Sequence, residues 1–178
     1  TIPPDELIPD EDSSYVDVGM VGILRALSFG DPLIIKGPTG VGKTKAVQEW
    51  AAQDGIPLIR GNCSSDTDRA ALIGQFGMIG DEVVFTLGVL TLAIETANTI
   101  GACVLCLEEI NTMRPDRHSA LFSITDFRRR IESVELGKIF KLNPECKLWV
   151  VGTANPGYQG TVTLSPALDS RFNQIEMT

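Results

Sequence analysis

Residues 37–44 read Gly-Pro-Thr-Gly-Val-Gly-Lys-Thr, a spacing of glycines, one lysine and one hydroxyl that suits the wrapping of a nucleoside triphosphate. Gly37, Gly40 and Gly42 can take backbone angles closed to other residues, so successive N–H groups can turn inward around phosphate oxygens. The apolar run Leu33-Ile34-Ile35 precedes the loop and a helix-like stretch over 43–53 follows it, which is the setting the pattern requires. The start of that helix turns its positive dipole end toward the same anion. In this reading Pro38, Thr39 and Val41 complete the cradle, Lys43 reaches the β- and γ-phosphates, and the Thr44 hydroxyl binds Mg²⁺.

A second constellation lies in the later half. Val104-Leu105-Cys106-Leu107 reads as a buried strand that ends in two carboxylates, Glu108 and Glu109. In open α/β sheets the ligand sits off the carboxyl ends of the strands, where the phosphate loop also lies. Glu108 is therefore expected on the metal side, and Glu109 is expected to orient or deprotonate an attacking water. Asn155 follows the apolar run 148–152, where its amide can meet a γ-phosphate or that water; Asn155-Pro156 reads equally well as a turn. Arg171 follows a short helical turn. It could neutralise charge in a neighbouring subunit's site, or be an ordinary surface charge.

His118 is the sole histidine, which removes Ser-His-Asp catalysis and multi-histidine metal sites; a polar place on a helix surface is expected for it. Cys103 and Cys106, three apart in a strand, point to opposite faces, a poor geometry for a shared metal or a disulfide. All four cysteines read as structural thiols in reducing, cytoplasmic surroundings.

The elements that must position these groups follow from periodicity. Residues 1–17 are acidic and Pro-rich and read as an extended arm. Met20, Ile23, Leu24 and Leu27 mark one helix face, closed by Gly30 and Pro32. Strands are expected over 33–36, 57–60, 103–107, 148–152 and 174–177, and helices over 43–53, 66–74, 87–100 and 116–127. The last of these helices should bury Ala120, Leu121, Ile124 and Phe127. Hairpins are expected about Gly80-Asp81 and Gly137, and a helical turn over 166–170. Alternating strands and helices imply a parallel α/β sheet.

The chain carries −8 at neutral pH, and six acids without a base in residues 1–18 leave only −2 for the remainder. That argues against a broad basic face for nucleic acid, leaving at most a local basic loop. No apolar run approaches a membrane span and no signal peptide is expected.

In this order the pieces resemble the AAA+ ATPases, over nearly everything from Val18 onward, and more narrowly the MoxR/CobS branch of the dynein-related (AAA_5) group. Glu108-Glu109-Ile110-Asn111, then Arg114-Pro115-Asp116 and Ser119-Ala120-Leu121, is similar to that branch's D-E-I-N segment and its following helix. The stretch from Leu72-Ile73-Gly74 to Gly88-Val89-Leu90 resembles its inserted hairpin, and residues 131–142 resemble the hairpin before the first sensor. The resemblance implies a P-loop NTPase three-layer sandwich, the AAA+ large subdomain, with a parallel five-stranded sheet and two small β-hairpin insertions. It places the core at 18–178 behind an N-terminal arm at 1–17, with Asn155 as the first sensor and Arg171 as the arginine finger. It also implies ATP and Mg²⁺ as ligands, a hexameric homo-oligomeric ring with the finger acting in trans, and a protein client, in company with a von Willebrand A-domain partner. The family carries Asp where this chain has Glu108, and it continues into a helical lid with a second sensor arginine, before which this sequence ends at Thr178. Two other activities fit the same motifs: a nucleic-acid-linked motor similar to the McrB NTPases, which favour GTP, and a nucleotide-binding assembly module with weak hydrolysis.

Overall fold

Side chains leave the central strands alternately toward two faces, both of them buried, and this sets the layers of the fold. The computed structural model describes residues 4–10, 18–27, 31–157 and 160–178. Its main strands are β1 (Leu33–Lys36), β2 (Leu58–Asn62), β5 (Ala102–Glu108), β8 (Lys147–Ala154) and β9 (Asn173–Glu176). They form one parallel five-stranded sheet in the order β2-β5-β8-β1-β9. On β5, Cys103, Leu105 and Leu107 enter one core while Val104 and Cys106 enter the other, because successive side chains leave a strand on opposite faces. Helices α1 (Val18–Leu27) and α2 (Lys43–Asp54) cover the second core with Met20, Leu24, Val47 and Trp50. Helices α3 (Arg69–Ile73), α4 (Val89–Ile100) and α5 (Phe122–Thr125) cover the first with Leu72, Ile94 and Ile124. The result is the expected three-layer sandwich. No helix among the described residues is long and apolar enough to cross a membrane.

Two antiparallel hairpins leave this sandwich, as expected. Strands β3 (Gly74–Ile79) and β4 (Glu82–Leu87) turn at Gly80 and are inserted between α3 and α4. Gly88 closes the base of this ribbon: a Cβ there would lie 2.4 Å from the Leu72 carbonyl carbon, so only glycine lets the two chains meet. Phe76 and Phe85 stack edge-to-face across the ribbon at 5.1 Å, while Met78, Ile79 and Val83 remain exposed. The second hairpin, β6 (Arg130–Ser133) and β7 (Lys138–Lys141), buries Ile131 and Phe140 beneath α4. Trp50 on α2 meets Trp149 on β8 edge-to-face at 5.6 Å. A short helix, α6 (Pro166–Asp169), opens with Ser165 capping the Leu168 N–H.

Three expectations are corrected. In α1 the buried line runs through Met20, Val21 and Leu24, and Ile23 is exposed, because the helix sits rotated toward α2. The stretch expected as one helix over 116–127 is a 3₁₀ helix, Pro115–Leu121, followed by the single turn of α5. A 3₁₀ helix advances three residues per turn, which shifts every side chain around its axis relative to an α-helix. Asp126 then turns extended, so Phe127 is 93% exposed instead of lining the core. The same rotation carries His118 inward to 1% exposure rather than onto the surface. The thiols of Cys63, Cys103 and Cys106 are buried, and desolvation pushes each up to about 12, while Cys146 is half-buried. Most of the N-terminal arm and Gly30 lie outside the described residues; within the arm, Pro4–Leu7 forms one 3₁₀ turn whose Leu7 packs on the core.

His118 gives this fold a titration signature. Its Nε2 donates to the Met113 carbonyl at 3.2 Å, and its Nδ1 is buried without a hydrogen-bond partner among the described residues. Burial holds its pKa below the ordinary histidine value, outweighing that hydrogen bond and the nearby Asp116 carboxylate. A depressed folded pKa means the unfolded chain takes up the proton first. The stability involved is therefore present above the ordinary value of about 6.5 and is lost as pH falls from there through the folded value. Urea unfolding followed by circular dichroism at pH 7.5 and 5.0 should show a loss of stability in acid that is shallower in His118→Gln. An identical loss in both proteins would show that His118 does not contribute to it.

Candidate functional site

The phosphate-type loop leaves β1 and turns into α2 over residues 37–42, and its glycines serve two different ends. Gly40 and Gly42 lie in the left-handed region, at φ 84° and 90°, as the loop requires. Gly37 does not, which corrects the expectation for it. A Cβ on Gly37 would stand 2.4 Å from the Met177 carbonyl oxygen, so this glycine is needed for the close approach of the chain after β9. Its N–H donates to Ala154 O at 3.1 Å, tying the loop to the end of β8. Gly42, at the N-cap of α2, has no side chain of its own to compete with an anion for the first-turn N–H groups.

Lys43 is 8% exposed, and its ammonium donates to Gly37 O at 2.8 Å, Pro38 O at 2.7 Å and Asn155 Oδ1 at 2.5 Å. These contacts use all three of its N–H donors. Desolvation lowers its pKa, and the Glu109 carboxylate opposes that shift. Asn155 continues the chain, because its Nδ2 donates to Glu109 Oε1 at 3.2 Å. The loop cation, the amide at the tip of β8 and the second acid after β5 are thus joined by consecutive hydrogen bonds.

Glu109 stands at φ 54°, ψ 44°, in the left-handed region that a non-glycine residue enters only when its surroundings hold it there. Thr153 is one such hold, since its Oγ1 accepts the Glu109 N–H at 3.1 Å. Thr112 is another: its N–H and its Oγ1 donate to Glu109 O at 2.8 and 2.7 Å, while Asn111 Nδ2 donates to Asn155 O at 3.2 Å and ties the turn after β5 to the end of β8. Glu108, one residue earlier, has its Oε1 2.5 Å from Arg60 Nε on β2. Glu108, Glu109, Thr44, Thr39, Lys43, Thr153 and Asn155 line one cleft of about 230 Å³. Its hydroxyl and carboxylate oxygens are the donors a hard cation such as Mg²⁺ takes, so the residues present fit that ion. A larger cleft, about 450 Å³, lies beside Lys36, Asn111, Thr163 and Asp169 and contains none of the phosphate-loop residues.

Of the residues expected at the site, the structure brings together the loop 37–44, Glu108, Glu109 and Asn155. Arg171 stands apart from this cleft. Its guanidinium lies 4.5 Å from the Phe122 ring centroid, its Nη1 donates to Ala167 O, and its Nε is buried without a partner among the described residues. Asp169, two residues earlier in sequence, turns instead to Lys36 and Gln174. Sequence reasoning missed Thr153 and Arg60. Each had a signal: a polar or charged residue inside an otherwise apolar strand.

The family model described as AAA domain (dynein-related subfamily) matches residues 32–172. Protein NorQ of Paracoccus denitrificans is 37% identical over 158 residues, which are 88% of this chain and 56% of that protein. An uncharacterized protein of Staphylococcus epidermidis is 32% identical over 150 residues, 82% of this chain and 54% of its own. The chain spans about half the length of the curated relatives it matches. A crystal structure assigned to an ATPase of Cytophaga hutchinsonii superposes with a TM-score of 0.67 over 98% of this chain and 48% of that one. At 19% identity this likeness shows the shared fold.

The hydrogen bonds of Lys43 generate a direct expectation. If the loop holds a triphosphate, Lys43→Ala removes a charge-assisted contact to it and lowers triphosphate affinity by about ten- to a hundredfold. Isothermal titration of the folded variant with ATP measures this. Unchanged affinity would remove the phosphate-loop assignment.

Proposed function

Since the chain belongs to the dynein-related subfamily of AAA domains, we propose that it binds ATP with Mg²⁺, hydrolyses it, and works within a homo-oligomeric ring that remodels or matures a partner protein. The observation that carries this reading is the hydrogen-bonded line Lys43–Asn155–Glu109 inside the cleft below the loop. Lys43 exchanges the carbonyl oxygens of Gly37 and Pro38 for phosphate oxygens, which as charged acceptors bind an ammonium more strongly. Thr44 and Glu108 hold Mg²⁺, which supplies neutralisation of the charge on the β- and γ-phosphates. Glu109, positioned through its backbone by Thr153 and through Oε1 by Asn155, accepts the proton of the attacking water. Asn155 senses both partners, since any phosphate that draws Lys43 away changes what its amide faces.

The hexameric ring, the arginine finger in trans and the protein client with a von Willebrand A-domain partner enter this reading through the family. Arg171 suits that role: its guanidinium touches a carbonyl and an aromatic ring, and the Asp126 carboxylate, itself paired with Arg128, acts on it through charge alone. The buried, unpaired thiols suit the reducing cytoplasm.

Two experiments test these roles. Glu109→Gln keeps the shape of the side chain but removes the base, so ATP binding persists while turnover falls by at least about a hundredfold. Binding and turnover lost together, or turnover retained, would remove Glu109 from that role. For the ring, full-length Arg171→Ala subunits are mixed with full-length Glu109→Gln subunits. Regained turnover is expected, because a site with intact Glu109 then receives a neighbour's Arg171. Mixed rings that assemble and stay inactive would show that Arg171 does not act across the interface.

A further inference from the structure

The metal-side acid of the cleft is a glutamate, and a glutamate has one more rotatable bond than an aspartate with which to miss its target. On β2, Arg60 is registered beside Cys106, and Asn62 beside Glu108. Arg60 and Glu108 are therefore diagonal neighbours on one face of the parallel pair, a spacing that a long arginine side chain can bridge. Arg60 Nε lies 2.5 Å from Glu108 Oε1, and the pair raises the pKa of Arg60, chiefly through that hydrogen bond. Glu108 Oε2 makes no hydrogen bond among the described residues, while Glu108 itself lines the cleft with Thr44.

We propose that Arg60 is a positioning residue that pins the longer Glu108 side chain through Oε1, so that Oε2 meets the water shell of a Mg²⁺ ion held at Thr44. The inference rests on the Mg²⁺–ATP reading above. The Arg60 side chain is 48% exposed and that of Glu108 14%, and an ion pair with one partner this open to solvent contributes little to folding. The contact is instead placed to fix one carboxylate oxygen. Removing the hydrogen bond frees the carboxylate to rotate away from the cleft, an entropic loss felt only when the cation is bound. An aspartate at 108 falls a methylene short of Arg60 and has less freedom to lose, so it should not depend on the arginine.

The test is equilibrium binding of a fluorescent methylanthraniloyl-ATP to the chain in a Glu109→Gln background, titrated with free Mg²⁺. Removing an outer-shell partner raises the half-saturating Mg²⁺ concentration by about tenfold in Arg60→Met. Arg60→Lys, which keeps a cation at shorter reach, is expected to give a smaller rise, and it decides the question alone if Arg60→Met fails to fold. With Glu108→Asp added, the Arg60 substitution should no longer shift the Mg²⁺ midpoint. An unshifted midpoint in a folded Arg60 variant overturns the inference, as does an equal shift with Asp at 108. Nucleotide binding that ignores Mg²⁺ in the Arg60-intact protein overturns the Mg²⁺–ATP reading and the inference with it.

Discussion

A buried ammonium dictates much of this site. Lys43 is 8% exposed, and a cation taken out of water must have its N–H groups matched or give up its proton. Two backbone carbonyls of its own loop and one side-chain amide provide the match. The loop carbonyls can do so only because Gly40 and Gly42 take left-handed angles and Gly37 leaves room for the chain after β9. The amide can do so only because β8 lies directly beside β1, so that the end of one strand meets the loop of the other. Strand order, glycine placement and the identity of residue 155 are therefore conditions on a single charge.

Glu109 answers to the same condition from the other side. A carboxylate near the ammonium offsets part of the desolvation of Lys43, yet it reaches its place at a backbone geometry that favours glycine. Thr153 on β8, Asn155 just beyond it and Thr112 in the turn after β5 each bond Glu109 directly, and together they hold that geometry. The strained residue sits where two adjacent strands end, which is where an α/β sheet has backbone and side chains to spare for restraint.

Much of the fold was legible because its strands are buried on both faces, giving apolar runs such as Val104–Leu107 that have few other uses. The loop 37–44 and the pair Glu108-Glu109 were legible because local order sets their chemistry. The missed features depend on contacts between elements far apart in sequence. Arg60 meets Glu108 through strand register, and Thr153 meets Glu109 across 44 positions, a pairing that no periodicity encodes. His118 and Phe127 were misplaced because the apolar spacing of this stretch fits one α-helix, whereas Pro115 starts a 3₁₀ helix and the chain turns extended at Asp126, after α5. Packing against the sheet decided that rotation, and packing is not written in the spacing.

The two tryptophans carry a consequence of their own. Trp50 rides on the helix that begins at the phosphate loop, and Trp149 lies on the strand whose tip bears Asn155. They are the chain's whole complement of indoles, and they touch edge-to-face at 5.6 Å. Near-ultraviolet absorption in this protein therefore comes largely from one coupled pair of transition dipoles, whose separation and angle are those of helix against strand. Any sliding of α2 over β8 would change that coupling, so the molecule carries a built-in optical gauge of helix against strand without any attached label.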